Sequence, residues 1–298
     1  MKGGIKMDFG HVLTAMVTPF NEAKEVDYDK TTALIEYLLE NGTEGLVITG
    51  TTGESPTMST EEKVKLFNHV VRVVDKRVPV IAGTGSNNTS ESIALTKEAE
   101  NSGVDGIMLV VPYYNKPSQQ GLYEHFKQIA ATVDLPIMLY NIPGRSVVKM
   151  DADTIIELSN IKNIVSVKEA SGDLEQAAKI IEKTDDDFSV YSGEDSLTLP
   201  MLSIGGHGIV SVASHVIGKE MQEMVKAYVS GNIKKAASIH RTLLPVMDVL
   251  FSAPSPTPVK EALEYKGVSV GGVRLPLIPL NDTERKSLHE VLKNINRK

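Results

Sequence analysis

Short runs of β-branched and apolar residues alternate with longer amphipathic stretches through the first two thirds of the chain. The runs lie at residues 12–17, 45–49, 78–82, 106–111, 136–140, 164–168, 188–191 and 208–212. Short apolar runs bounded by turn signals read as strands covered on both faces. Between them the period changes to that of a helix. Residues 27–41 place Leu34, Ile35, Leu38 and Leu39 on one stripe, which Asn41-Gly42 stops. Ser59-Thr60-Glu61-Glu62 is a capping box that opens a helix with Val64, Phe67, Val70, Val71 and Val74 inside. Residues 90–101, 118–132, 151–159, 173–183 and 196–204 complete the alternation.

Strands separated by helices form a parallel sheet, because parallel neighbours need a crossover connection. Eight such units predict an α/β fold, a closed (β/α)8 TIM barrel, with an open doubly wound sheet as the alternative. Against the open sheet, no strand is followed by a dinucleotide fingerprint: Gly83-Thr84-Gly85 would need a third glycine where Asn88 stands. Past Gly218 the pattern becomes helix after helix, at 220–230, 232–251, 258–265 and 282–294. The expected division is a barrel over 1–217 and a C-terminal helical region over 218–298, stiffened by Pro254, Pro256 and Pro258.

One run ends in chemistry. In Asn163-Ile164-Val165-Ser166-Val167-Lys168-Glu169-Ala170-Ser171-Gly172, strict alternation puts Ile164, Ser166 and Lys168 on one face and Val165 and Val167 on the other. Lys168 then closes a strand, at the end where barrels of this type carry their active sites. It is either a cation that snorkels to water or an amine whose pKa burial has lowered.

The charge balance narrows the partners. With 31 basic and 38 acidic side chains in 298 residues, the net charge is −7, and no Lys/Arg block or Trp supplies the basic face expected of a nucleic-acid binder. An anionic substrate must therefore be held by local groups. The absence of cysteine excludes disulfides, thiolate metal sites and a cysteine nucleophile. His207 and His215 stand without metal-ligand spacing, and no metal or cofactor is expected. No apolar run approaches the ~18 residues of a membrane span, and residues 1–10, with Lys2 and Lys6, lack a signal peptide's apolar core. A soluble cytoplasmic protein is expected, with Met7 as a second candidate start.

The residues following each run form one rim. After the second comes Gly50-Thr51-Thr52-Gly53-Glu54, a glycine-bracketed turn whose N–H groups and hydroxyls suit a carboxylate, or an ordinary tight turn with a helix cap. After the fourth comes Pro112-Tyr113-Tyr114-Asn115, and the fifth ends in Tyr140-Asn141-Ile142-Pro143-Gly144-Arg145. In Gly205-Gly206-His207-Gly208 no basic residue accompanies the glycines, so close packing is preferred to a phosphate cradle. An amine, three phenols, paired threonines and a guanidinium suit covalent carbonyl chemistry: a dry lysine captures a keto acid as an iminium while tyrosines move protons.

Taken together, Gly50-Thr51-Thr52-Gly53-Glu54, Tyr113-Tyr114-Asn115-Lys116-Pro117, Tyr140-Asn141-Ile142-Pro143-Gly144-Arg145 and Val167-Lys168-Glu169-Ala170 closely resemble the dihydrodipicolinate synthase family. That family lies within the pyruvate-dependent class I aldolases, which include N-acetylneuraminate lyase. The resemblance runs from about Gly10 to the C-terminus. It implies condensation of pyruvate with L-aspartate 4-semialdehyde on the way to lysine and diaminopimelate. By the same resemblance Lys168 forms the Schiff base and Tyr140 donates and accepts protons. Thr51 and Tyr114 complete a relay to solvent, with Tyr114 supplied by the neighbouring subunit. Thr52 holds the pyruvate carboxylate, and Gly193 and Val210 line its pocket. A dimer is then the smallest complete unit, and a homotetramer, a dimer of dimers, is common in the family.

Arg145 separates the branches. A guanidinium grips the semialdehyde carboxylate with two parallel hydrogen bonds, whereas the sugar-acid lyases usually lack an arginine here. The synthase is therefore expected over a sialic-acid or keto-deoxy-sugar aldolase, and over a barrel that binds a keto acid without turnover. Where lysine-inhibited members often carry histidines, this chain has Thr60 and Lys63, while Asn87 and Glu91 remain as possible ligand groups. A cation at Lys63 repels a lysine ammonium, so feedback inhibition is expected to be weak or absent.

Overall fold

The computed structural model describes residues 8–295; the expectations for Lys2, Lys6 and Met7 lie outside the described residues. Eight strands close into one parallel barrel in chain order. They are β1 (Val12–Ala15), β2 (Gly45–Ile48), β3 (Val80–Gly83), β4 (Gly106–Val110), β5 (Ile137–Asn141), β6 (Ile164–Glu169), β7 (Ser189–Ser192) and β8 (Gly208–Ser211). Each lies within one residue of its predicted run at one end or both. Pairing of Val12, Leu13 and Thr14 with Ile209, Val210 and Ser211 closes the ring, which rules out the open sheet.

The barrel is wrapped by α1 (Tyr28–Glu40), α2 (Thr60–Val74), α3 (Thr89–Asn101), α4 (Gln119–Ala130), the single turn α5 (Pro143–Ser146), α6 (Ala152–Leu158), α7 (Leu174–Lys183) and α8 (Thr198–Ser203). The local signals are chemical. At α2 the Glu62 N–H donates to Ser59 Oγ at 3.1 Å, and the Ser59 N–H donates to Glu62 Oε2 at 2.9 Å. The helix buries Leu66, Phe67, Val70 and Val74, each contributing on the order of 1.5–3 kcal/mol.

Two cores result. One lies between strands and helices; the other, including Leu13, Val47, Ile81, Met138, Tyr140, Val165, Tyr191 and Val210, fills the barrel interior. Bulky side chains from alternate strands occupy this space, so the barrel is a packed solid with chemistry only at its mouth.

After β8 the chain enters α9 (Ser214–Val229), then α10 (Ile233–Val249), α11 (Thr257–Tyr265) and α12 (Asp282–Ile295). Residue 220 was expected to open α9; the helix begins earlier and kinks at Ile217 (φ −132°, ψ 34°). The polar residues that hid this start are buried partners of the barrel. His215 donates from Nδ1 to the Val212 carbonyl at 2.8 Å and accepts the Val17 N–H on Nε2 at 3.1 Å, while the Ser214 and Thr14 hydroxyls bond at 2.9 Å. No helix among the described residues is long and apolar enough to cross a membrane.

Candidate active site

Strand register assembles the centre. Lys168 pairs with Tyr140 on β5 and with Tyr191 on β7, so the three side chains enter the barrel at one level. The lysine Nζ lies 4.2 Å from the centroid of the Tyr140 ring.

The expected alternation along β6 needs one correction. Ile137 pairs with Ile164, but Met138 pairs with Ser166, leaving Val165 as an extra residue in a bulge. Ile164 therefore packs in the outer core with Val167, while Val165 turns into the barrel. The bulge re-aims the first half of the strand; beyond it, period two is restored up to Lys168.

Lys168 is only 6% exposed, and burial pushes its pKa down to about 8; Asp195 opposes that fall and the Arg145 charge adds to it. At pH 8 about half of such amines are neutral, against roughly 0.3% for an unperturbed lysine. The amine is thereby a nucleophile near neutral pH. Burial pushes Tyr140 the other way, to about 12, although Arg145 and the Thr51 side chain both favour its phenolate. Tyr140 is thus a protonated phenol beside the amine, able to donate.

Space for the lysine stem is made by glycine. A Cβ on Gly193 would lie 2.5 Å from Ala170 Cβ, and 3.1 and 3.2 Å from Lys168 Cε and Cγ. Val210 belongs to the same interior core as Tyr140 and Ala170.

A cleft of about 360 Å³ opens above. Its lining includes Thr51, Tyr140, Arg145, Lys63, Glu91 and Tyr113. Lys63 is partly desolvated, which lowers its pKa, with Glu91 opposing. Thr52 is buried within the Gly50–Glu54 turn, where the Glu54 N–H donates to the Thr51 carbonyl at 3.0 Å. Two non-glycine residues with positive φ frame it, Thr49 (52°) and Glu54 (57°), a costly conformation for a β-branched threonine.

Of the residues singled out from sequence, Thr51, Tyr140 and Arg145 line the cleft and Lys168 and Gly193 lie against them, while Val210 lies in the interior core and Thr52 is buried without lining the cleft. Tyr114 does not join them. It is 87% exposed with φ 71° and is absent from the lining of the cleft. Gly206 and Gly208 sit where β8 begins, away from the rim. Their missing side chains admit Met201 and the His11 carbonyl, so close packing explains them. Among the described residues no cluster of His, Asp or Glu could hold a metal.

Asp195 was not foreseen. Its carboxylate is buried, accepts the Ser211 hydroxyl and the Val212 and Ala213 N–H groups, and its pKa is raised by burial against those bonds. The only trace in the sequence is an acidic pair following a β-run; nothing local shows that Asp195 turns inward toward β8.

A closed parallel barrel with a dry amine and a phenol at its carboxyl mouth defines a lysine-dependent (β/α)8 enzyme, a lyase of the class I aldolase type. The chain belongs to the dihydrodipicolinate synthetase family, whose model matches residues 8–295. It is 59% identical over 290 residues to a 4-hydroxy-tetrahydrodipicolinate synthase of Bacillus subtilis, covering 97% of this chain and 100% of that protein. A crystal structure of dihydrodipicolinate synthase from Bacillus anthracis superposes with a TM-score of 0.95 at 60% identity, covering 96% of this chain and 98% of that one. The chloride-inhibited dihydrodipicolinate synthase from Acinetobacter baumannii, complexed with pyruvate, does so at 0.94 and 39% identity, covering 97% and 99%.

Proposed function

We infer that this enzyme condenses pyruvate with L-aspartate 4-semialdehyde through a lysine Schiff base, giving 4-hydroxy-tetrahydrodipicolinate for lysine and diaminopimelate synthesis. The observation that carries the reading is the burial of Lys168 against the Tyr140 ring, with its pKa lowered to about 8. The neutral amine adds to the ketone carbon of pyruvate, and loss of water leaves an iminium. A proton then leaves the methyl carbon, the resulting enamine attacks the aldehyde to restore an iminium, and the semialdehyde's own amino group displaces the Lys168 amine from that carbon, closing the ring and freeing the enzyme. Tyr140 gives and takes the protons of these steps, with Thr51 as its hydrogen-bonded neighbour and Tyr114 as the outer member of the relay. Thr52 and the turn's N–H groups hold the pyruvate carboxylate, with Gly193 and Val210 as the wall. Arg145 holds the carboxylate of the semialdehyde.

Tyr114 reaches a centre only from a second copy, so the working unit is at least a dimer and, by kinship, a homotetramer. Its support is the exposure of Tyr114, 87%, beside the exposed Tyr113. The 1–217 barrel is the catalytic unit and 218–298 its helical appendage; the kink at Ile217 falls at that boundary.

Borohydride reduction with pyruvate, followed by peptide mass analysis, tests the reading: an adduct on Lys168 is expected, and an unmodified lysine would leave only a keto-acid binder. Turnover of pyruvate plus semialdehyde, set against cleavage of N-acetylneuraminate or keto-deoxygluconate, separates synthase from sugar-acid lyase.

A further inference from the structure

Glu54, the last residue of the Gly50–Glu54 turn, is buried with its charge, its side chain 1% exposed, and its partner comes from the far end of the chain. Lys260 of α11, 3% exposed, places Nζ 2.7 Å from Glu54 Oε1. That ammonium also donates to the Gly272 carbonyl at 2.9 Å and lies 4.2 Å from the centroid of Phe20. The Arg274 N–H takes the second oxygen, Oε2, at 2.9 Å. The Arg274 guanidinium also lies over the Phe20 ring, 4.3 Å from its centroid, and donates to the Thr57 carbonyl and to both oxygens of Glu62. Gly271 admits this strap: a Cβ there would fall 2.0 Å from the Phe20 carbonyl.

Local hydrogen bonds close the backbone of the turn, from the Gly53 N–H to the Gly50 carbonyl at 3.1 Å and from the Thr57 N–H to the Glu54 carbonyl at 3.0 Å. The Glu54 carboxylate, however, is met only by groups of the C-terminal region. Glu54 occupies the left-handed region at φ 57°, which disfavours a side-chain-bearing residue. Its N–H closes the turn onto the Thr51 carbonyl at 3.0 Å. A buried ion pair contributes little net stability against well-packed apolar residues of similar volume, and its best-attested use is to fix one arrangement among several. Here the fixed object is the strained turn carrying Thr51 and Thr52.

We propose that Lys260 and Glu54 are positioning residues for the keto-acid carboxylate, so that the C-terminal helical region forms part of the pyruvate subsite. This rests on the reading that the Thr51–Thr52 turn binds that carboxylate. Lys260 touches no substrate; it acts through the turn.

The test uses the double variant Glu54→Gln/Lys260→Met, which leaves no orphaned buried charge, and the control Arg285→Met, which removes an α11–α12 bond (Arg285 Nε to Glu261 Oε1, 3.1 Å) away from the turn. The double variant should raise KM for pyruvate about tenfold, with KM for the semialdehyde within about twofold, whereas the control should move neither. Equal change in both constants, no change, or the same change in the control would overturn the proposal. Amide exchange of the unaltered protein gives a second readout that needs no variant. Pyruvate should protect residues 50–58 and 270–274 together, by the reciprocity of coupled sites; protection confined to 50–58 would overturn the coupling. Failure to trap pyruvate on Lys168, or no protection at 50–58, would instead sink the underlying reading.

Discussion

Replacing Gly193 by alanine tests whether the placement of the Lys168 amine is set by packing. The new Cβ would stand 2.5 Å from Ala170 Cβ, where ordinary contact begins at 3.4 Å, so the pair must separate by about 0.9 Å. Neither backbone yields readily. The Gly193 N–H donates to the Glu169 carbonyl at 2.8 Å, and the Ala170 N–H to the Asn141 carbonyl at 2.8 Å. The strain therefore falls on the Lys168 stem, whose Cε and Cγ lie 3.1 and 3.2 Å from the added carbon. Overpacking of this kind costs about 1–3 kcal/mol, or a Tm lowered by roughly 2–6 °C in a chain of this size. The chemistry should suffer more, because a misplacement of about 1 Å costs on the order of 100-fold in rate. The assay is the rate of pyruvate trapping at Lys168 by borohydride, read beside a thermal melt. A melt lowered as expected with a trapping rate within threefold of the parent would refute the reasoning, since the stem would then have absorbed the strain without moving the amine.

The remaining expectations concern the same centre. Trapping at Lys168 should rise about fivefold from pH 7 to pH 8 and level off above about pH 9, as the amine with a pKa of about 8 loses its proton. Continued increase up to pH 10.5 would mean an unperturbed lysine. The stability linkage has the same origin. Between about pH 8 and 10.5 the unfolded chain binds the extra protons, so Lys168 and Lys260, both pushed down to about 8 by burial, make stability rise with pH across that window, which a series of melts measures. Arg145→Ala should raise KM for the semialdehyde by ten- to a hundredfold while KM for pyruvate stays within about threefold; equal changes would remove Arg145 from that role. Tyr114→Phe should lower kcat, and dilution to monomer should lower it equally; full activity in a dilute monomer would refute a tyrosine lent by a partner. Free lysine should inhibit weakly, because Lys63 lines the cleft and an incoming ammonium meets a cation there; steep loss of activity at sub-millimolar lysine would overturn this.

Much of this enzyme was legible along the chain, because the signals concerned are local. Hydrophobic periodicity located all eight strands, the Ser59 capping box marked the start of α2, and Lys168 at the end of a β-run marked the centre. Four motifs in order along the chain resemble those of the family. What sequence left open depends on which distant groups meet in a dry interior. Alternation along β6 failed at Val165 because a bulge is a property of two paired strands, and one strand's sequence does not contain it. Asp195 carries no local signal, and only the folding of β8 against it makes it a buried acceptor. Glu54 found its cation in Lys260, and its second oxygen a donor 220 residues away in Arg274. Residue order alone named a lysine, a tyrosine and a turn. The tertiary fold decided how dry the lysine is, and so its charge at neutral pH, because desolvation is set by everything packed around a group and is not encoded by its neighbours in sequence.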